Sequence, residues 1–451
     1  MTETPTPSEP TLASRLAALV APLVPGGADG ALVGRNFGWL IGDRTFRLLV
    51  GLVVNTWLVR YLGAESLGLM SFAQSVVVIT AVVSQLGLET ILVRDLVRQP
   101  EHDAELMGTS LGLRVTGWLG TLGLALAMTS VLRPGDHRAM LLTWVFSTTA
   151  LSQTLDIIEY WFQSRTRVTP VVRARLAAFV IAAIAKIVAI QLRLPLEGIA
   201  VIVAGEFALS TLALLVSYLV DGGRPAHWRW SGARARQLLR DSWPLMLNAL
   251  AVVVSVRVDQ MIVTTLRGTA ENGIYAAAQR LTEIVYYIPV AVMAAAGPVL
   301  LRSHQRSSEE YMRRLQRVFS LLALGALVIT AAISLGAPLI VAILFGPAFR
   351  ASGPVLAVQI LAAPVLFLGV AQINWFIAEG RQRELMVRSV VAAVASVVMN
   401  LALVPRLGAL GASISMVVSQ SFANWILNAF FASTRQIFVM QSRALWPFRR
   451  W

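Results

Sequence analysis

The sequence predicts an all-α polytopic membrane protein, with twelve transmembrane helices in two six-helix lobes related by a pseudo-two-fold axis along the membrane normal. Three observations carry that expectation. Hydrophobic residues make up 56% of the 451 and charged residues only 14%, and mean hydropathy is +0.68, a balance that a soluble chain of this length does not sustain. Apolar runs long enough to cross a hydrocarbon core of about 30 Å recur from end to end. A basic connection at 221–242 divides those runs six and six, and a pattern of small residues repeats across it.

Taken in order, residues 1–35 lack a basic region ahead of their short, Pro-broken apolar run, and they are expected to form a cytoplasmic tail rather than a cleaved signal. The first lobe, 36–220, holds spans at about 38–61, 68–92, 111–132, 139–163, 171–192 and 197–220. The connection 221–242 is basic and Gly-bearing, as an inter-lobe linker should be. The second lobe, 243–432, holds spans at about 243–266, 276–301, 318–345, 353–379, 385–405 and 409–432. The tail 433–451 mixes arginine with Trp446 and Trp451, which suits the anionic membrane interface. Pro244, Pro289, Pro298, Pro354 and Pro364 fall in or beside spans and mark places where a helix can bend.

Two patterns fix the arrangement. Counted in the tails and alternate loops, Lys and Arg number 26 on the side of the termini and eight on the other, which predicts cytoplasmic termini. Gly63, Gly68, Ala73 and Gln74 recur 205 residues later as Gly268, Gly273, Ala278 and Gln279, each set joining the first two helices of its half. Because each half has an even number of spans, the copies point the same way and a binding site is expected between the lobes.

Composition also excludes chemistry. With no cysteine, and four histidines scattered without ligand spacing, no metal site or cofactor is expected. The formal charge of +14 would suggest nucleic acid in a soluble chain, but here the arginines punctuate apolar spans and set topology instead. No phosphate-binding glycine loop and no large loop able to mount a catalytic site is present, so no enzyme activity is expected.

The informative residues are the ionisable ones at membrane depth, where each costs roughly 2.5–3.5 kcal/mol on insertion scales. Asp43 and Arg47 are i,i+4 on helix 1 and can neutralise one another, which leaves Arg44 either uncompensated or reaching the interface about 9 Å away. Asp156 and Glu159 are expected to pair at the interface with nearby Arg165 and Arg167. Lys186 and Glu206, at similar depth on consecutive antiparallel helices, form the natural structural ion pair. The hairpin 241–301 is the most charged: Arg257 and Asp259 are two residues apart and point to different sides of one helix, while Arg280 and Glu283 are i,i+3 on the next. Glu283 can partner Arg280 or, across the helix pair, Arg257; the sequence leaves both open. Arg257 lies roughly 20 Å from one end of its span and 13 Å from the other, too deep for easy escape to either surface.

These segments resemble a known family. SWPLMLNAL, RVDQMIV and NGIYAAAQRLTEIVYYIP in the second half, with VRYLGAESLGLMSFAQS, LGLETILVRDL and LDIIEYWFQSRTR in the first, are similar to Wzx-type polysaccharide flippases. That superfamily also holds lipid II flippases and multidrug and toxin extruders. The resemblance runs from Asn36 to about Phe431. It implies a monomer in the bacterial inner membrane that moves a polyprenyl-diphosphate-linked oligosaccharide to the outer leaflet by alternating access, among membrane lipids and alongside a polysaccharide polymerase and glycosyltransferases. It also implies cavity arginines for the diphosphate, and the matching positions are Arg44, Arg47, Arg60, Arg257 and Arg280, with Asp43, Asp259 and Glu283 as coupling groups or charge partners. Acidic groups near the membrane are as numerous as basic ones by span count, so a net-positive cavity rests on the resemblance alone. A multidrug antiporter of the same architecture is the rival reading, and it would want unpaired carboxylates facing the cavity.

Overall fold

The computed structural model describes residues 28–167 and 169–446, with no side chain described before Arg47. Residues 1–27, most of the expected N-terminal tail, and 447–451, which include Trp451, lie outside the described residues. Cut at their turns, the described residues form twelve long helical segments: α1 (28–62), α2 (64–98), α3 (Asp103–Leu132), α4 (137–164), α5 (Thr169–Gln191), α6 (Leu196–Val220), α7 (Gly232–Arg267), α8 (Thr269–Arg306), α9 (Ser308–Phe345), α10 (Ser352–Ala378), α11 (382–407) and α12 (409–430). Among the described residues seven stretches meet the length and apolarity of a membrane span, and two of these, Val50–Arg98 and Arg383–Phe430, are long enough to cross twice. A further helix, α13 (Arg435–Leu445), packs Ile437, Met440 and Ala444 onto the second lobe.

The α1–α2 and α7–α8 corners are built alike. Helix continues unbroken on both sides of Gly63 (φ 69°, ψ 175°) and of Gly268 (φ 93°, ψ 173°), a backbone region in which only glycine is unstrained. From each corner the second helix packs against the other lobe. A Cβ on Gly68 would lie 1.8 Å from the Thr269 carbonyl oxygen, and one on Gly273 would lie 1.8 Å from that of Ala64. Residues 64 and 269, and likewise 68 and 273, are 205 positions apart, so the contact is reciprocal and lies on the pseudo-two-fold axis. Here α2 and α8 touch backbone to backbone, and Asn272 Nδ2 donates to the Gly68 carbonyl oxygen at 2.8 Å.

Near the side of the 221–231 connection the lobes meet a second time. The break in α2 at Leu86 and Gly87 brings its terminal segment, Leu88–Arg98, onto the start of α7. Leu88 and Ile91 pack there with Leu113, Ala235 and Leu238, and Arg94 Nη2 reaches Asp241 Oδ2 at 3.1 Å. This corrects the linker boundary: 232–242 is helix, started by Ser231 accepting from the Arg234 amide and held by its apolar face. The chain bends near one expected proline as well, where the 3-10 turn Ile360–Ala362 breaks α10 just ahead of Pro364.

Candidate functional site

Between the lobes, beneath the glycine contact, lies a cavity of about 320 Å³ walled by α1, α2, α7 and α8. Its side chains come from both halves: Arg47, Asn55 and Gln74 from the first, and Arg257, Gln279, Arg280 and Glu283 from the second. The described lining thus has three guanidinium groups and one carboxylate. Arg257 Nη1 lies 3.2 Å from Glu283 Oε1, and Gln279 Nε2 donates to the same oxygen at 3.2 Å. Glu283 therefore partners Arg257 across the helix pair, and Arg280 has no salt bridge among the described residues. Arg257 is both a cavity residue and an ion-pair partner, roles that the sequence set against each other.

Polar amides order the wall above the charges. Ser75 Oγ donates to Gln260 Oε1 at 2.8 Å, and Gln260 Nε2 donates to Gln279 Oε1 at 2.6 Å. The chain of bonds crosses from α2 to α7 to α8, so lobe contact and the position of Glu283 are mechanically joined. Sequence reading passed over these amides, although Gln74 and Gln279 stand in the repeat it found.

The other expected residues lie elsewhere. Asp259 is buried away from the cavity, where it accepts from the Tyr275 hydroxyl and from the Gln260 amide at 2.8 Å. The helical twist between positions 257 and 259 puts one in the cavity and the other in the lobe interior. Arg60 is absent from this lining; its Nε donates to the Leu344 carbonyl at 2.6 Å and its Nη2 to that of Ile343. It caps the negative end of α9, the natural place for a cation at a helix terminus. Asp43 and Arg44 lie outside the described side chains. Lys186 Nζ and Glu206 Oε2 are 2.7 Å apart and join α5 to α6. Arg165 and Arg167 turn to Asp103 and Asp221, and Glu159 pairs with Arg175, so the pairing expected within the end of helix 4 does not form. Loop-borne arginines find the carboxylates of adjacent helix ends, and Arg175 on α5 faces Glu159 directly.

The fold is one that solved transporters of the MOP superfamily share. The description "Polysaccharide biosynthesis protein" fits residues 33–304, more than half of the chain, which therefore belongs to that family. Solved structures share the fold at low identity. An inward-facing multidrug resistance MATE family transporter of the MOP superfamily matches with TM-score 0.68 and 16% identity over 88% of this chain and 96% of that one. The lipid II flippase MurJ in an inward closed conformation matches with TM-score 0.73 and 10% identity over 90% of each chain. A MOP superfamily transporter from Pyrococcus furiosus, described as having a binding pocket of reversed polarity, matches with TM-score 0.59 and 15% identity over 96% and 99%. No curated protein sequence matches the chain.

Proposed function

We propose that the protein is a flippase that carries a polyprenyl-diphosphate-linked oligosaccharide from the inner to the outer leaflet of the bacterial cytoplasmic membrane by alternating access. The observation that carries this reading is Arg280, a guanidinium that lines the interlobe cavity beside the Arg257–Glu283 pair and has no salt bridge among the described residues. A diphosphate offers acceptors in the fork geometry that a guanidinium prefers, and it leaves with transport, so Arg280 needs no permanent counter-ion. Arg280 would be the first contact, with Arg257 released from Glu283 as the anion arrives. Cytoplasmic termini, a monomeric state, the absence of catalysis, and work alongside a polymerase and glycosyltransferases belong to the same reading. Membership of a polysaccharide biosynthesis family supports it.

The rival is export of organic cations, which the described cavity carboxylate, Glu283, favours. Two sets of variants separate the readings in a host whose own flippase gene is deleted. Arg257→Lys keeps the charge but loses the fork, and it is expected to give a folded protein whose flipping falls about ten-fold or more, the worth of one charge-assisted contact. If Arg257→Gln with Glu283→Gln restores full transport, Arg257 is a structural partner and its diphosphate role is wrong. Normal surface glycan together with lost resistance to cationic dyes in the deletion would select the antiporter.

A further inference from the structure

The corner of the second lobe where α10 turns into α11 carries cations that the interlobe cavity does not use. Gly380 (φ 68°) makes the turn, and a pocket of about 350 Å³ opens beside it, lined by Arg381, Arg383, Glu384, Val387, Arg388 and Phe431. Glu384 is its one carboxylate, and it is engaged by Arg381 Nη1 at 3.2 Å and by Ser433 Oγ at 3.1 Å. Arg388 is only 4% exposed, and among the described residues it has no carboxylate within ion-pair distance. It donates to Asn428 Oδ1 and to Thr434 Oγ1 (2.9 Å), and its guanidinium lies over Phe376 at 4.9 Å. Gln372 and Gln441 accept from Asn428 Nδ2 at 3.0 and 2.8 Å, which aims the Asn428 oxygen at the arginine. Four elements, α10, α11, α12 and α13, thus fix one buried cation at the pocket wall with only neutral partners, an arrangement that is costly without an anion.

The pocket also continues into an apolar track. Val387, Val390, Val394, Val398 and Leu401 are all exposed and follow one another at three and four residues, so they form a lipid-facing stripe that rises from the pocket along α11. A charged base at the end of a membrane-facing apolar stripe matches a molecule with a phosphate at one end and an acyl chain at the other. We propose that this corner binds a phosphate-bearing membrane lipid, with its headgroup on Arg381, Arg383 and Arg388 and its chain along the valine stripe. The assignment needs only a bilayer against this face, so it stands or falls separately from the cargo of the interlobe cavity.

The test uses the full-length protein in nanodiscs of phosphatidylcholine doped with phosphatidylglycerol, with retained lipid counted by native mass spectrometry after extraction. Wild type is expected to retain phosphatidylglycerol in preference to phosphatidylcholine. Arg381→Gln with Arg383→Gln should weaken retention about thirty-fold, at about five-fold per interfacial charge. Arg383→Glu, at an exposed position outside the Glu384 pair, gives a second variant should the first fold poorly, and it should weaken retention at least as much as removing one charge. Inorganic phosphate, which lacks the chain, should not displace the lipid at equal concentration. Unchanged retention in a folded variant, equal retention of phosphatidylcholine, or displacement by inorganic phosphate would each overturn the lipid assignment.

Discussion

The first helix pair of each lobe has the same frame and different chemistry. In α1–α2 and in α7–α8 the glycine corner, the glycine of the close approach, and the Ala-Gln step below it all coincide at a spacing of 205. At the positions of Arg257, Asp259, Arg280 and Glu283, however, the first pair has Leu52, Val54, Ser75 and Val78. Geometry is thus shared between the halves, while the charges at these four positions belong to one. The lesson is that lobe contact demands symmetry, because each backbone rests on the other, whereas cargo does not.

The comparison can be broken most forcefully at the shared frame. Gly68→Val and Gly273→Val each place a Cβ within 1.8 Å of a carbonyl oxygen, and overpacking of this kind costs about 1–3 kcal/mol or more against the closed arrangement. Both should depress transport in reconstituted vesicles strongly and to a similar degree. A large difference between them would refute the reciprocal seam. Next in size is the buried carboxylate. Tyr275→Met leaves Asp259 without its hydroxyl donor and should lower thermal stability by about 1.5–3 kcal/mol. Adding Asp259→Val recreates the first half's own pair, Met70 and Val54, and should recover most of that loss, since removing both partners strands no polar group. Failure to recover would show that the interior of the second lobe needs the carboxylate for more than packing.

Smaller effects sharpen the contrast. Ser75→Ala removes the bond that carries the amide chain across the lobes, and it should cost about 0.5–1.5 kcal/mol in unfolding measurements while leaving the cavity charge intact. Least of all, Val78→Ala should shift stability by less than about 0.5 kcal/mol and leave transport unchanged, because Val78 is 40% exposed and is absent from the described cavity lining. Its counterpart Glu283 lines the cavity, so the same truncation there should be felt in transport.

Much of the frame was legible because periodicity and length report it directly. Spans, their halving and the Gly63/Gly268 repeat follow from apolar runs and small residues, and the Lys186–Glu206 pair follows from depth on adjacent helices. Depth alone does not say which way a side chain faces. Arg114 and Arg388 lie close to the ends of the spans expected from sequence, 111–132 and 385–405, and read as topology charges, yet the structure buries both, at 2% and 4% exposure. The choice of partner for Glu283 also escaped, since an i,i+3 neighbour and a cross-helix neighbour are equally near in sequence terms. The break at Leu86 and Gly87 and the π turn at Phe422–Ile426 lie inside unbroken apolar runs, where hydropathy has no contrast to offer. The amide chain of Ser75, Gln260 and Gln279 was hidden for a related reason: uncharged polar residues leave little mark on a hydropathy profile.

The glycine seam has a consequence for how such a chain can change. A contact in which residue i rests on residue i+205 and its mirror does the same is the isologous contact of a two-fold dimer, drawn within one polypeptide. In a dimer of identical six-helix units, one substitution alters both sides of the interface and both walls of the central cavity at once. Fusion of the units frees the walls from that constraint while the seam stays bound by it, because a bulky residue on either side collides with the same partner. The row from Gly63 to Gln74 and its copy can therefore be expected to drift together, while Leu52 and Arg257, or Val78 and Glu283, are free to part.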